Sequence, residues 1–422
     1  FDAYRTSGLP NEGSVDGRYT YNPPPANTLV EDRFNFDLPD TGFLFPGDVL
    51  HYYLEASDDL GGTSRLPADT TGFSLFPGNP DYTVGEWASA DGIYFIEFTV
   101  RGLPTLKSLD VGDHPPILFY NDQGGAYGGE NEWWFALSQL GYLEGVDYDV
   151  FHVMGPSSGI GNGIGGRATS AQLTGYETML YTCGNLGNVT LSNGDYQLDP
   201  GNDIGCITGW LEQGGKNMFA TGDDLAYDVR RSGAAGATFA NTWFGVNMTS
   251  GNLRPLINNQ TNPKVKPLVG NPIGLTTEYV AYGGCLGIND FDAVTPVGTA
   301  VSIAEFLSPA GASGAYPYAA GVYNNVATYT AEVILFPYDF MYIYNKTSAK
   351  ASANLQARAQ VLQQILLHFG HTGGSQATDV PEAPVFSSRV YPNPFNPQAT
   401  VEFSLPRRGD VSVRVFNVRG EL

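Results

Sequence analysis

The sequence has 422 residues, a formal net charge of −22 at pH 7, 42% hydrophobic residues and 15% charged ones. That length exceeds one ordinary core, so two to four domains are expected. The charge excludes nucleic acid, whose phosphates would be repelled, and disfavours an anionic membrane surface, while 13% aromatic residues exclude a disordered chain.

No run of about 18 apolar residues occurs, so no membrane-spanning helix is expected. With 53 Gly, 28 Pro and 25 Tyr, many turns and strand faces are expected, as in β-rich extracellular proteins. Phe1 stands first with no leader-like segment, and Arg419-Gly420-Glu421-Leu422 ends abruptly; both features suggest a processed or partial product.

Residues 1–104 read as β-sandwich material. Asp48 to Ala56 alternates apolar and polar residues and breaks at Asp58-Asp59-Leu60-Gly61-Gly62, a strand followed by a turn. A second strand is expected over Gly92 to Val100. The phrase "PGDVLHYYLEASDDLGG" resembles late strands of immunoglobulin-like or fibronectin-like modules, which are common in secreted bacterial proteins.

Residues 113–371 alternate short apolar runs with helical periodicity, an α/β signature. Strands are expected at 116–120, 148–153, 178–182, 217–220 and 332–336. Helices are expected from about Glu130 to Gly141, around 170–173, near 203–212, and through Leu355, Leu362 and Leu366 to Gly370. These elements predict a doubly wound parallel sheet. An insertion over about 230–330 is too long for a loop and should carry β structure of its own, including Thr277 to Tyr282.

Residues 372–388 have linker composition. Beyond them, "YPNPFNP" at 391–397 precedes strands at 399–405 and 411–417, joined by Pro406 to Asp410. This block, 389–422, closely resembles the start of the C-terminal sorting domains of proteins exported by the type IX secretion route, and the related FlgD-like immunoglobulin modules. The resemblance implies an extracellular or bacterial cell-surface location.

The phrases "GGKNMFATGDDLAYDV" at 214–229 and "EVILFPYDFMYIYN" at 332–345 resemble the flavodoxin-like fold of class I glutamine amidotransferase relatives. The fold class expected is therefore a β-sandwich piece, a flavodoxin-like α/β domain and the start of a C-terminal β domain. In active relatives a cysteine occupies the turn after the strand, where helix amides lower its pKa and form an oxyanion hole. Here that turn reads Ala220-Thr221-Gly222-Asp223. The family's histidine position reads Phe336-Pro337-Tyr338-Asp339. Both departures imply a domain without its catalytic residues, since Thr221 has no base visible nearby.

A rival resemblance is to gingipain-like cysteine peptidases, with Cys183 after the third strand and His152 in the second; His152 inside a strand also reads as a packing residue. The cysteines Cys183, Cys206 and Cys285 match no zinc spacing. A Cys183–Cys206 disulfide would staple the Gly/Asn-rich stretch between them, and pairing with Cys285 stays open.

Asp122 with Glu130, and Asp223 with Asp224, are candidates to gather a cation such as Ca2+ at the sheet edge. Equally, Glu130 and Asp223 would serve as helix caps. Sequons begin at Asn188, Asn247, Asn259 and Asn345. The expected role is a non-catalytic structural or adhesive surface protein, self-associating or bound to other extracellular proteins. A secreted hydrolase using Cys183 and a glycan-binding surface protein are the alternatives.

Overall fold

The computed structural model describes residues 16–21, 28–36, 49–51, 53–66, 99–101, 115–123, 129–153, 163–187, 190–193, 201–282, 290–345, 356–374, 387–391 and 400–404. The chain divides into two units, Phe1–Gly374 and Ser375–Leu422.

The first unit is built on a sheet of ten strands. In chain order they are β1 (Ile117–Asn121), β2 (Tyr148–His152), β3 (Thr178–Thr182), β4 (Asn217–Thr221), β5 (Lys264–Pro267), β6 (Tyr279–Ala281), β7 (Val301–Phe306), β8 (Ala319–Val326), β9 (Ala331–Phe336) and β10 (Ile343–Asn345). Across the sheet they run β10-β6-β5-β7-β8-β9-β4-β3-β1-β2. The five strands from β9 to β2 are mutually parallel, and every remaining pairing is antiparallel.

The parallel strands are buried on both faces, which is why they read as unbroken apolar runs. Strand alternation divides them between two cores. Ile117, Phe119, Leu180 and Phe219 face a core shared with helix α1 (Glu130–Gln139) and the last helix, α6 (Ala357–His368). Leu118, Tyr120, Met179 and Met218 face the other core, with the one-turn α2 (Ile164–Arg167), α3 (Asp203–Leu211), α4 (Leu225–Arg231) and α5 (Gly233–Phe239). Trp133 of α1 stacks on Phe340 at 4.1 Å between ring centroids. The α3 indole Nε1 of Trp210 donates to the Tyr176 carbonyl at 3.0 Å.

Helix ends follow local chemistry. Gly141, at φ 78°, ends α1 in the left-handed region, and the Tyr142 amide closes back on the Leu137 carbonyl at 3.0 Å. The Asn202 side chain caps α3 by accepting from the Gly205 amide at 2.8 Å.

The expected fold class is corrected at two points. First, the sheet is mixed and not a doubly wound parallel one. Strands β5 to β8 come from the insertion and join the main sheet, with β8 pairing along the flank of β9. That flank would otherwise present unpaired amides and carbonyls, and β8 is itself buried over six of its eight residues. Second, the amino-terminal region shows no immunoglobulin-like sandwich among its described residues. It shows three separate two-stranded ribbons: Gly17–Tyr21 with Leu29–Phe36, Val49–His51 with Thr99–Arg101, and Leu54–Ser57 with Thr63–Leu66. Tyr19 and Phe34, which pack on each other across the first ribbon, stay half-exposed. The turn at 58–62 is present, with the Asp58 carboxylate accepting from the Leu60 and Gly62 amides. Residues 92–98 lie outside the described residues.

In the second unit Ser387–Tyr391 pairs antiparallel with Thr400–Ser404. The strand expected at 411–417 and the polar turn before it lie outside the described residues, as does most of "YPNPFNP".

The carboxyl-terminal edge of the parallel strands as a candidate functional site

Parallel α/β sheets bind ligands at the carboxyl ends of their strands, where strand order reverses. Here the reversal falls between β1 and β3, since β2 lies on one side of β1 and β3, β4 and β9 lie on the other. Register puts His152, Asn121, Thr182, Thr221 and Phe336 in one row across the strand ends. Alternation turns this row toward α1.

The β3–β4–β9 part of the edge is knitted by carboxyl groups. Asp339 follows β9 and accepts from the hydroxyls of Thr182, in a very short contact, and Thr221, at 3.4 Å. It also accepts from the Met341 amide at 2.9 Å, capping the 3-10 turn Phe340–Tyr342. Asp223 accepts from the Asp339 amide at 3.2 Å and the Tyr342 hydroxyl at 2.9 Å. Gly129, at φ 97°, lets the start of α1 approach this group; a Cβ there would stand 2.9 Å from Asp339 Oδ1.

Both acids are buried, and burial pushes both carboxyls up. For Asp223 the neighbouring Asp339 adds to the rise, and the Tyr342 hydroxyl offsets part of it. For Asp339 the threonine hydroxyls and backbone amides oppose burial.

The four carboxylates expected to gather a cation do not converge. Asp122 and Glu130 belong to opposite faces: the Asp122 carboxylate accepts from Tyr181 in the far core at 2.9 Å, whereas Glu130 stands 3.5 Å from His152 on the α1 side. Asp223 is engaged with Asp339 and Tyr342, while Asp224 turns away in a left-handed conformation, φ 51°, with its amide on the Asp290 carbonyl at 2.7 Å. Among the described residues no three His, Cys, Asp or Glu side chains group as metal ligands.

The Cys183–His152 pair is likewise not formed. β1 lies between their strands, and alternation puts Cys183 in the core opposite to the one His152 faces. The Cys183 thiol is fully buried, with its sulfur 3.9 Å from the Asp223 carbonyl. Burial, then Asp122, Asp339 and Asp223, push its pKa well up, the reverse of what a thiolate nucleophile requires.

Cys183 and Cys206 are free thiols, not the expected disulfide. The first turn of α3 is held elsewhere: Asp203 accepts from the Gly165 amide at 2.7 Å and the Ser192 amide at 3.1 Å, and Cys206 faces the Ala168 carbonyl at 3.6 Å. Burial pushes the Cys206 thiol up to about 12. Cys285 and Asn188 lie outside the described residues. Asn247 and Asn259 are exposed, whereas Asn345 accepts from the Ala357 amide at 2.7 Å, at the start of α6.

Sequence reasoning missed Asp339, Asp292, Asn121 and Gln123. Asp292 accepts from the Ala226 amide at 2.7 Å and so serves α4 from a distant segment. Asn121 and Gln123 are buried, and neither side chain has a hydrogen-bond partner among the described residues. A polar pair directly after an apolar strand was the only available signal.

No protein-family model matches the sequence, and no curated protein does. Solved structures overlap parts of it. A β-galactosidase from Bacillus circulans sp. alkalophilus is 11% identical, with 65% of this chain and 34% of that one covered and a TM-score of 0.36. A GH42 β-galactosidase is 8% identical, with 53% and 27% covered and a TM-score of 0.30. The carbohydrate deacetylase Agd3 is 12% identical, with 60% and 32% covered and a TM-score of 0.31. The chain thus spans about a third of each, and overlaps this slight carry no functional argument.

Proposed function

We propose that this chain is a non-catalytic structural or adhesive protein of the bacterial surface or extracellular space, acting by association with its own kind or with other extracellular proteins. The observation that carries the reading is the knitted edge. The hydroxyls of Thr182 and Thr221 and the carboxyls of Asp223 and Asp339 bond to one another and to local backbone, where an enzyme of this architecture would aim them at substrate. The only described thiol near that edge is buried, has its pKa pushed well up by burial and neighbouring carboxyls, and lies on the opposite face.

Surface location draws support from the sequence pattern at 391–397. Association draws support from the amino-terminal ribbons, each paired on one side only among the described residues, with Tyr19, Phe34 and Leu66 about half-exposed. No described helix is long and apolar enough to cross a membrane. Light scattering on the purified chain, with electron microscopy of native material, tests the reading: concentration-dependent assembly is expected. A strict monomer that turns over peptide or amide substrates would overturn it.

A further inference from the structure

The β1–β2 end of the same edge is unlike the rest. Asn121 is fully buried, and neither its Nδ2 nor its Oδ1 has a partner among the described residues. Gln123 is 2% exposed, and both of its side-chain polar atoms are likewise unpartnered. His152 is paired in register with Asn121, and its Nε2 is buried without a partner while Nδ1 lies 3.5 Å from Glu130. Alternation keeps Asn121 and His152 on the α1 side of the sheet, while Asp122, which engages Tyr181 on the other side, is followed directly by Gln123 just past the end of β1. Each buried polar group left unmatched costs on the order of 1–3 kcal/mol, so five such atoms in three residues at one end of two adjacent strands call for a ligand.

We propose that Asn121, Gln123, His152 and Glu130 form a binding site for a small, neutral, hydroxyl-rich molecule, a sugar or polyol. The class follows from the donor set. Two carboxamides offer donors and acceptors in equal number, and an imidazole whose Nδ1–H faces a carboxylate offers an acceptor at Nε2. A hydroxyl group, at once donor and acceptor, complements both. An anion is opposed by Glu130 and Glu132 in the first turn of α1 and by the overall charge. A metal is opposed by the donor count, since the site brings one carboxylate and one imidazole. The position suits a ligand as well, because β1 flanks the point of strand-order reversal. This site is independent of the assembly reading.

Calorimetric titration of the full-length protein with glucose, galactose, mannose, N-acetylglucosamine and glycerol tests the assignment, with a matching rise in melting temperature as the second readout. Saturable binding of at least one of these is expected, weakened about tenfold or more in both Asn121→Ala and Gln123→Ala, the loss of one or two hydrogen bonds. Gln123→Met preserves side-chain length and serves if an alanine variant fails to fold. Absence of saturable binding across the panel overturns the site, as does binding unchanged in folded variants. Calcium or phosphate binding lost in the same variants, with no sugar binding, overturns the ligand class.

Discussion

The Asp339 amide donates to the Asp223 carboxylate at 3.2 Å, holding two buried carboxyl groups side by side where β4 and β9 end. Asp339 also ties in β3 through Thr182. Three adjacent strands are therefore closed at one end by acids that are 116 residues apart in sequence.

Removing Asp339 should be severe. Asp339→Ala removes the acceptor of the buried Thr182 hydroxyl, leaves the Thr221 hydroxyl only its 3.5 Å contact with the Tyr181 carbonyl, and uncaps the turn at Phe340. Stranded buried groups cost about 1–3 kcal/mol each, so a loss of about 2–5 kcal/mol is expected in urea unfolding. Asp339→Asn keeps one acceptor and should lose clearly less. Equal midpoints for Asp339→Ala and the parent would contradict this account.

Asp224 sets a pH dependence. Burial, then Asp290 and Asp228, raise its pKa to about 7 from an ordinary 3.8. A raised carboxyl pKa means that the folded state holds the proton more tightly than the unfolded chain. Its stabilising contribution is thus full below about pH 4 and is lost as pH rises toward 7. Asp224→Asn should flatten the stability profile over that window and stabilise the protein at neutral pH. Asparagine also accepts the left-handed φ of 51° at this position. Parallel melting curves of parent and variant from pH 4 to 8 check this, and a constant offset across the range would contradict it.

The thiols supply a third expectation. Cys183 is fully buried and Cys206 nearly so, each facing a backbone carbonyl. Both should resist iodoacetamide in the folded protein and be alkylated once it unfolds. A peptide linking 183 to 206 in unreduced digests would restore the disulfide expected from the sequence.

The five strands and helices α1, α3 and α6 of the parallel half were legible because apolar runs and helical periodicity are local properties, whereas the helix expected around 170–173 is a turn, and the helical turn lies at Ile164–Arg167. β1 was expected at 116–120 and lies at Ile117–Asn121; α6 was expected to run to Gly370 and ends at His368. The fate of the insertion was not legible. Whether β8 extends the sheet or starts a separate layer depends on its pairing with β9, and an alternating strand carries no address for its partner. The site failed for a similar reason. Asp122 and Glu130 are close in sequence, yet Asp122 turns to Tyr181 in the far core while Glu130 opens α1 beside His152 on the other face. Asp339 was visible only as a residue occupying a histidine's place, because its partners Thr182 and Thr221 lie more than a hundred residues away.

The last expectation concerns the turn after β4. Gly222 sits against Cys183, so a Cβ at 222 would collide with the Cys183 sulfur while meeting the Cys183 Cβ at an ordinary 3.5 Å. Gly222→Ala should therefore destabilise by about 1–3 kcal/mol, as overpacking does in a core with no slack. Cys183→Ala removes the obstructing atom and on its own should cost about 1 kcal/mol, the loss of one small buried group. The two changes together should be milder than their sum, because alanine at 222 then fills the space the sulfur leaves. A coupling energy of about 1 kcal/mol or more in the double-mutant cycle is expected. The Leu225 Cβ, 3.3 Å from the same point, limits how complete the relief can be. Strict additivity would mean that the backbone at 222 moves to accept the methyl group, and that the contact between the two strand ends is not what fixes this turn.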